Sequence, residues 1–413
     1  MSYSVLLRHL VCCGTLRVIE TSGHVQTFAG IEPGPTLTIR FHDKSLERQL
    51  LFNPRLYLGE AYMNGRLTIE NASLYDFLDF VAVNMNRAPK SWVSPFYDGF
   101  GKAFRFFQQW NPLQRARQNV AHHYDLSGAL YDLFLDRDRQ YSCAYFTAPD
   151  QTIDQAQANK KRHIAAKLLL EPGQHVLDIG CGWGGLALYL AKECAVEVTG
   201  LTLSVEQHRV AERRAAVAGL SHKVRFKLVD YREEKGRYDR IVSVGMFEHV
   251  GVPQYSTFFR RVKELLNEDG VALLHSIGRA DGPAATNPWL RKYIFPGGYA
   301  PALSEVLPVV ERTGLFVTDI EILRLHYAET LKAWRTRFLA ERERVRALYD
   351  DRFCRMWEFY LAGSEIAFRH HGHIVFQMQM ARQVDTVPLT RDYMFDWERS
   401  HQVPMPSSAG RAA

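Results

Sequence analysis

The sequence predicts an α/β protein, a Rossmann-like, mostly parallel sheet flanked by helices, with a small α+β domain in front of it. Three observations carry that prediction. Val176-Leu177-Asp178-Ile179-Gly180-Cys181-Gly182-Trp183-Gly184-Gly185 is an apolar run closing on an acid and then on spaced glycines, the pattern of a buried parallel strand that turns sharply into a helix. A second strand-like run, 197–201, follows about twenty residues later and ends at Thr202-Leu203-Ser204, where a unit of this kind meets a ribose. Beyond it strands and helices alternate: a helix over 204–218, strands at 224–229, 241–244 and 271–275, a helix over 302–313, and strands at 316–323 and 373–380.

In chain order, period-two runs at 16–20, 36–41 and 66–70, punctuated by Gly23, Gly30, Pro33 and Gly34, make residues 1–86 the small α+β domain. Within it Leu58-Gly59-Glu60-Ala61-Tyr62-Met63-Asn64-Gly65 reads as a helix ending at a glycine. Residues 87–118 differ in composition. Arg87, Lys90, Lys102, Arg105, Arg115 and Arg117 face the single acid Asp98, in a chain of 413 residues whose formal charge is only +6. Ser94 and Pro95 suit the start of a helix on which Phe96, Phe100, Phe104 and Phe107 share a face, with Lys102 and Arg105 elsewhere. Such a helix fits the headgroup boundary of an anionic membrane, and its aromatics would equally dock one domain on another. RNA binding uses the same residue types, but no nucleic-acid partner is expected.

From Asn119, His122-His123-Tyr124-Asp125-Leu126 leads into a helix to about residue 135. Gln140-Tyr141-Ser142-Cys143-Ala144-Tyr145-Phe146 has no regular period and is dense in polar and aromatic groups, which suits a lid or pocket wall. A helix over 153–170 then enters the glycine turn through Pro172-Gly173. Ser204 and Gln207 match an S-x-x-Q capping box, which accounts for both without a ligand. Ligands of open α/β sheets lie at the carboxyl ends of strands, so Tyr231, Glu248 in Gly245-Met246-Phe247-Glu248-His249-Val250-Gly251, and His275 should face one cleft. A long charged helix runs from His326 to about Leu348, its Arg/Glu-laced part reading as a solvated face, and another covers 353–368. Residues 381–413 read as increasingly disordered.

Composition narrows the class. A hydrophobic content of 46% provides for a real core. Cys12, Cys13, Cys143, Cys181, Cys194 and Cys354 lack metal-ligand spacing, so no metal site is expected, and reduced thiols point to the cytosol. No apolar run approaches the ~18 residues that cross a bilayer, so membrane contact would be peripheral. A tight structural turn needs glycine too, but D-x-G-x-G-x-G is the spacing of S-adenosylmethionine methyltransferases rather than the G-x-G-x-x-G of dinucleotide enzymes. An RNA methyltransferase would carry an N/D-P-P-Y or paired-cysteine motif, and neither is present.

Taken together, His123-Tyr124-Asp125-Leu126, the 140–146 stretch, the glycine turn, Leu201-Thr202-Leu203-Ser204, Phe247-Glu248-His249-Val250-Gly251, Lys292-Tyr293-Ile294-Phe295-Pro296-Gly297-Gly298 and His326-Tyr327 resemble the cyclopropane fatty acid synthases. The resemblance runs over about 119–382, and Gly59-Glu60-Ala61-Tyr62-Met63 looks like the small lipid-binding domain of the phospholipid-acting branch. It implies a catalytic domain over 119–382 with the seven-stranded sheet of class I methyltransferases, a tail over 383–413, and a homodimer at the inner face of the cytoplasmic membrane. By the same resemblance, Tyr141, Ser142, Asp178, Gly180, Gly182, Gly184, Thr202, Leu203, Gln207, Asp230 and Tyr231 would bind S-adenosylmethionine. Cys143, Glu248, His275, Ile277 and Tyr327 would hold bicarbonate, with Glu248, His275, Tyr327 and Cys143 as the catalytic set. Some relatives have a cysteine where Ser364 stands, so no nucleophile is assigned there.

The implied reaction moves a methylene group from S-adenosylmethionine to the double bond of an unsaturated acyl chain of a membrane phospholipid. Alkylating an alkene leaves a carbocation, and closing the ring requires a base for a proton of the transferred methyl. A second reading stops at a methyl-branched chain. A third, a non-catalytic lipid-binding protein, is opposed by the intact glycines and acid/His/Tyr set.

Overall fold

The computed structural model describes residues 3–88 and 127–401. The basic aromatic segment from Pro89 on, with its expected helix, and the His123–Leu126 motif lie outside the described residues.

The N-terminal unit runs α1 (Tyr3–Leu10), β1 (Cys13–Ile19), β2 (Val25–Ala29), β3 (Glu32–Phe41), α2 (Leu46–Phe52), α3 (Pro54–Met63), β4 (Leu67–Ile69) and α4 (Leu74–Arg87). Its four-stranded sheet has the order β2-β1-β3-β4. Helix α1 and strand β2 were not expected: β2 buries only Phe28, too little for a period-two signal. Alternate residues of β1 and β3, Leu16, Val18, Leu37, Ile39 and Phe41, pack against Phe77 and Phe80 of α4. The start of α4 is fixed by a capping box in which Ser73 and Asp76 satisfy each other's backbone N–H groups.

The second unit contains α5 (Gly128–Phe134), α6 (Ile153–Leu168), β5 (His175–Ile179), α7 (Gly185–Glu193), β6 (Glu197–Thr202), α8 (Val205–Val217), β7 (Val224–Leu228), β8 (Tyr238–Val244), α9 (Tyr255–Leu265) and β9 (Leu266–Arg279). It continues with α10 (Pro288–Tyr293), α11 (Leu303–Thr313), β10 (Phe316–Ile322), α12 (His326–Ala340), α13 (Arg342–Leu348), α14 (Asp351–His370), β11 (His373–Ala381) and α15 (Asp392–Ser400). The sheet has seven strands in the order β10-β11-β9-β8-β5-β6-β7, as expected. From β9 to β7 every neighbour is parallel, while β11 runs antiparallel to both β9 and β10. After β5 the chain winds outward through β6 and β7, then returns to β8 on the other side. The switch point of the sheet therefore lies between β5 and β8, where open α/β folds form their ligand crevice.

Three expectations are corrected here. Strand β9 is much longer than 271–275, because its second half pairs with β11 from Arg279 to Val271. The helix expected from His326 to Leu348 breaks at Glu341 into α12 and α13. The expected disordered tail instead folds back over 392–400 as α15, whose Met394 is buried and whose Glu398 bonds His163 of α6.

The two units share α14. Its Ala362 and Ile366 complete the N-terminal core, while its Trp357, Tyr360 and Leu361 belong to the aromatic core of the second unit. The 58–65 stretch does more than end a helix. A side chain at Gly59 would lie 2.6 Å from the Trp289 ring, so α3 and α10 approach closely only because that residue is glycine. Next to it, Glu60 accepts hydrogen bonds from Lys292 Nζ (2.7 Å) and the Tyr293 hydroxyl (2.8 Å). Among the described residues no helix is long and apolar enough to cross a membrane.

Candidate active site

All the residues expected at the cofactor except Gly184 line one cleft at this switch point. Asp178, at the end of β5, is 1% exposed, and its Oδ2 has no hydrogen-bond partner. Burial raises its pKa to about 7. The Leu201 carbonyl accepts both the Gly180 and Cys181 N–H groups (3.0 and 2.9 Å), which pins the turn beneath the cleft. Gly182 has φ +55°, and a Cβ there would meet nothing within 4 Å, so its face of the turn is open to a ligand. Gly184 is different. Its Cβ would lie 2.6 Å from the Phe226 ring and 3.1 Å from Ala211, so this glycine lets α7 pack on β7 and α8.

On the β6 side the capping-box reading is half right. Ser204 Oγ caps α8 by accepting the Gln207 N–H (3.3 Å), but the Gln207 side chain turns to the cleft, where its Oε1 accepts the Thr202 hydroxyl (3.0 Å). Leu203 lines the cleft between them. Beyond β7, both oxygens of Asp230 are held by Arg232 Nε and Nη2 (2.8 Å each), and the Arg232 guanidinium lies over the Tyr231 ring. Tyr231 is 8% exposed and presents a ring face suited to a planar base.

The opposite wall is the 140–142 segment, held by groups that sequence reasoning did not single out. Asp136 accepts the N–H groups of Asp138 and Gln140 (3.0 and 2.7 Å). The Tyr141 hydroxyl lies 2.7 Å from that of Tyr360 on α14, and both phenols are pushed above their ordinary pKa by burial. Lys160 of α6 donates to Gln140 Oε1 (2.6 Å) and Ser142 Oγ (2.8 Å). Arg139, Trp183 and His249 also line the cleft without having been expected. Trp183 packs at a tilt on Tyr131, ring centroids 5.0 Å apart, and donates to Glu206, a link no short-range sequence pattern encodes.

None of the five residues expected to hold bicarbonate lines that cleft; they adjoin it from behind. Glu248 sits in a 3₁₀ turn between cleft residues Met246 and His249, and Cys143 follows Ser142. Glu248 Oε1 accepts the Ile277 N–H (2.6 Å), and its Oε2 is buried with no partner. Burial raises its pKa to about 7 in spite of that N–H. His275, two residues along β9, is 2% exposed, and burial holds its pKa well below the usual value. The side-chain amide of Gln377 on β11 lies 3.1 Å from its Nδ1. Cys143 is 1% exposed, its thiol pushed up by burial, and the Ala144 N–H beside it donates to Thr330 Oγ1 (3.0 Å). Tyr327, one turn before Thr330 on α12, packs against Trp334 and Phe368. Direct contact thus joins Glu248 with Ile277, whereas Cys143 and Tyr327 reach the group through the aromatic core on which Ile277 packs.

Chemically, the cleft has a glycine cradle, an unpartnered acid and an aromatic ring face for a charged nucleoside-like ligand. Behind it stand a carboxyl with pKa near neutrality, a neutral imidazole, a thiol and a phenol, all protic groups in a water-poor wall.

The family model for mycolic acid cyclopropane synthetase matches residues 111–378. The chain is 36% identical over 394 residues to tuberculostearic acid methyltransferase UfaA1 of Mycobacterium tuberculosis, covering 92% of this chain and 90% of that protein. It is 36% identical over 347 residues to the cyclopropane-fatty-acyl-phospholipid synthase of Escherichia coli K12, covering 84% and 88%. Among solved structures, the mycolic acid cyclopropane synthase CmaA1 complexed with SAH and CTAB superposes with a TM-score of 0.62 at 33% identity, covering 66% of this chain and 99% of that one.

Proposed function

The chain belongs to the cyclopropane fatty acid synthase family and is an S-adenosylmethionine-dependent methyltransferase, and from that premise we propose that it converts the double bond of an unsaturated phospholipid acyl chain into a cyclopropane ring. The observation that carries the proposal is Glu248: a buried carboxyl with one oxygen fixed by the Ile277 N–H and the other without a partner. Both outcomes need a proton removed from the carbocation; ring closure needs the base placed at the transferred methyl, the olefinic branched product at a carbon of the chain.

In this reading the residues around Asp178, Gly182, Thr202, Gln207 and Tyr231 hold S-adenosylmethionine, which supplies the electrophilic methyl carbon. Cys143, Glu248, His275, Ile277 and Tyr327 would hold bicarbonate, which would supply a base. Rings of Tyr141, Tyr360, Trp334 and Phe295 pack in one aromatic core, which would exclude water and offer π faces to positive charge on an acyl chain held beside it. Glu248 would orient the oxyanion by accepting a hydrogen bond from its hydroxyl, and the Ile277 N–H keeps the carboxyl aimed. The enzyme would work as a homodimer at the inner face of the cytoplasmic membrane, reaching anionic lipid through the 87–117 segment.

A second reading, in which the chain leaves a methyl branch without a ring, is favoured by the likeness to UfaA1 over nine-tenths of the sequence. Incubation with methyl-labelled S-adenosylmethionine and a monounsaturated phospholipid separates the two. A product heavier by one CH₂ and without olefinic protons in the NMR spectrum supports the ring; an olefinic methyl-branched product of equal mass overturns it.

A further inference from the structure

Lys160 lies midway along α6, a helix of the wall rather than of any motif, and is 0% exposed. Burying an ammonium is costly unless every N–H finds an acceptor, and here no carboxylate bonds it directly. Instead its Nζ donates to Gln140 Oε1 (2.6 Å) and Ser142 Oγ (2.8 Å), two groups on the rim of the cofactor cleft. One turn earlier Gln157 donates its Nε2 to the backbone carbonyls of the same two residues, at 3.2 and 2.9 Å. Helix α6 therefore clamps the 140–142 wall through side chains and backbone at once. The lone pair of Ser142 Oγ that faces Lys160 is taken, so the serine hydrogen must point elsewhere. We infer that Lys160 is a positioning residue for the cofactor: it fixes Ser142 as a hydrogen-bond donor into the cleft and holds the Gln140–Ser142 wall in place against the ligand.

This rests on the reading that Ser142 meets the cofactor. The ammonium is faced by Asp136 and Asp138 of the preceding loop, Lys161 of its own helix, Cys143, Asp178 at the end of β5, and His275 of β9. Asp136 is spent on backbone N–H groups and Asp138 on Arg214 and Lys161, so neither can replace the Ser142 and Gln140 contacts. Burial lowers the Lys160 pKa to about 8, so the charge that makes it a threefold donor is present at neutral pH and lost as pH rises through that value.

The test is titration calorimetry with S-adenosylhomocysteine on the full chain and on Lys160→Met, from pH 7 to 9.5. At pH 7 the variant should bind at least about tenfold more weakly, the loss of a hydrogen bond to a charged group. The wild-type advantage should shrink as pH rises to 9.5, because the neutral amine keeps two N–H donors but loses the charge that strengthens both hydrogen bonds. A constant ratio across that range, or equal affinity at pH 7, overturns the proposal. Should Lys160→Met fail to fold, the Gln140→Ala, Ser142→Ala double variant keeps the ammonium and must lose the same alkaline decline; a decline equal to wild type overturns the proposal too. Failure of the wild-type chain to bind S-adenosylhomocysteine would count against the cleft assignment itself, a separate outcome.

Discussion

Replacing Glu248 by glutamine should abolish most turnover and make the protein more stable. The wild-type carboxyl is buried, has a pKa near 7 in place of the usual 4.5, and keeps one oxygen unpartnered. At about 1.4 kcal/mol per pH unit, ionising it in the fold costs about 3 kcal/mol more than in the unfolded chain. Because the folded pKa is the raised one, this penalty is absent below pH 4.5, grows as pH rises to 7, and is full above it. Glutamine keeps the shape and can still accept the Ile277 N–H, but never pays that penalty. Differential scanning calorimetry should therefore show Glu248→Gln melting several degrees above wild type at pH 8, with the gap closing towards pH 4.5. Turnover should fall on the order of 10²-fold or more with cofactor affinity unchanged, since a neutral amide is a much weaker acceptor than a carboxylate for the hydroxyl of a bound oxyanion. The wild-type rate should climb through an inflection near pH 7 that the variant lacks. Equal melting temperatures at pH 8 would refute the claim that a buried charge is held there at the expense of stability, and retained turnover would refute its role.

Gly182→Val should abolish S-adenosylmethionine binding in calorimetry while circular dichroism stays native, because the new side chain enters the open side of the turn; unchanged affinity would make the turn purely structural. Gly184→Val should instead cost about 3 kcal/mol or more of folding stability in denaturant titration, since its branch would meet Phe226. Combining it with Phe226→Leu should recover part of that loss; no recovery would mean backbone strain at φ +80° is the whole effect. Exchanging both Lys102 and Arg105 for Glu should weaken binding to anionic vesicles while activity on micelle-dispersed lipid survives. Equal vesicle binding would favour interdomain packing of that segment.

The parts of the site legible in sequence are those where backbone geometry restricts residue type. A strand that must turn into a helix beneath a ligand leaves a trace in Asp178, Gly180 and Gly182, and strand ends at a switch point place Thr202 and Tyr231 at one cleft, while Glu248, expected there too, lies behind it. The same reasoning could not separate Gly182 from Gly184. Both have positive φ, and only the position of Phe226, which arrives from β7, makes one a packing glycine. Helix α15 was missed for a related reason: its nine residues fold because Met394 is buried and Trp397 packs on the core to which α6 contributes Ile164, Ala165 and Leu168, a partner that local pattern cannot foresee.

Helix α6 shows why the supporting wall stayed hidden. Gln157, Lys160 and Lys167 recur at helical spacing, and a polar stripe of that kind is ordinarily read as facing water. Here all three are 0% exposed. The stripe is stable because each member meets a polar partner from a distant part of the chain: Gln157 and Lys160 the 140–142 segment, Lys167 the carboxylate of Glu321 on β10. His163, on the same side, lies between Glu321 and Glu398, and its ring stacks on Tyr145 at 4.1 Å. Tyr145 stacks in turn on His326, at the start of the helix that carries Tyr327. An apolar face would have packed as well but could not aim Ser142 or hold the 140–146 stretch in one register. The buried polarity of α6 is therefore the structural counterpart of the irregular composition of that stretch, which has no period of its own because its conformation is imposed from the helix behind it.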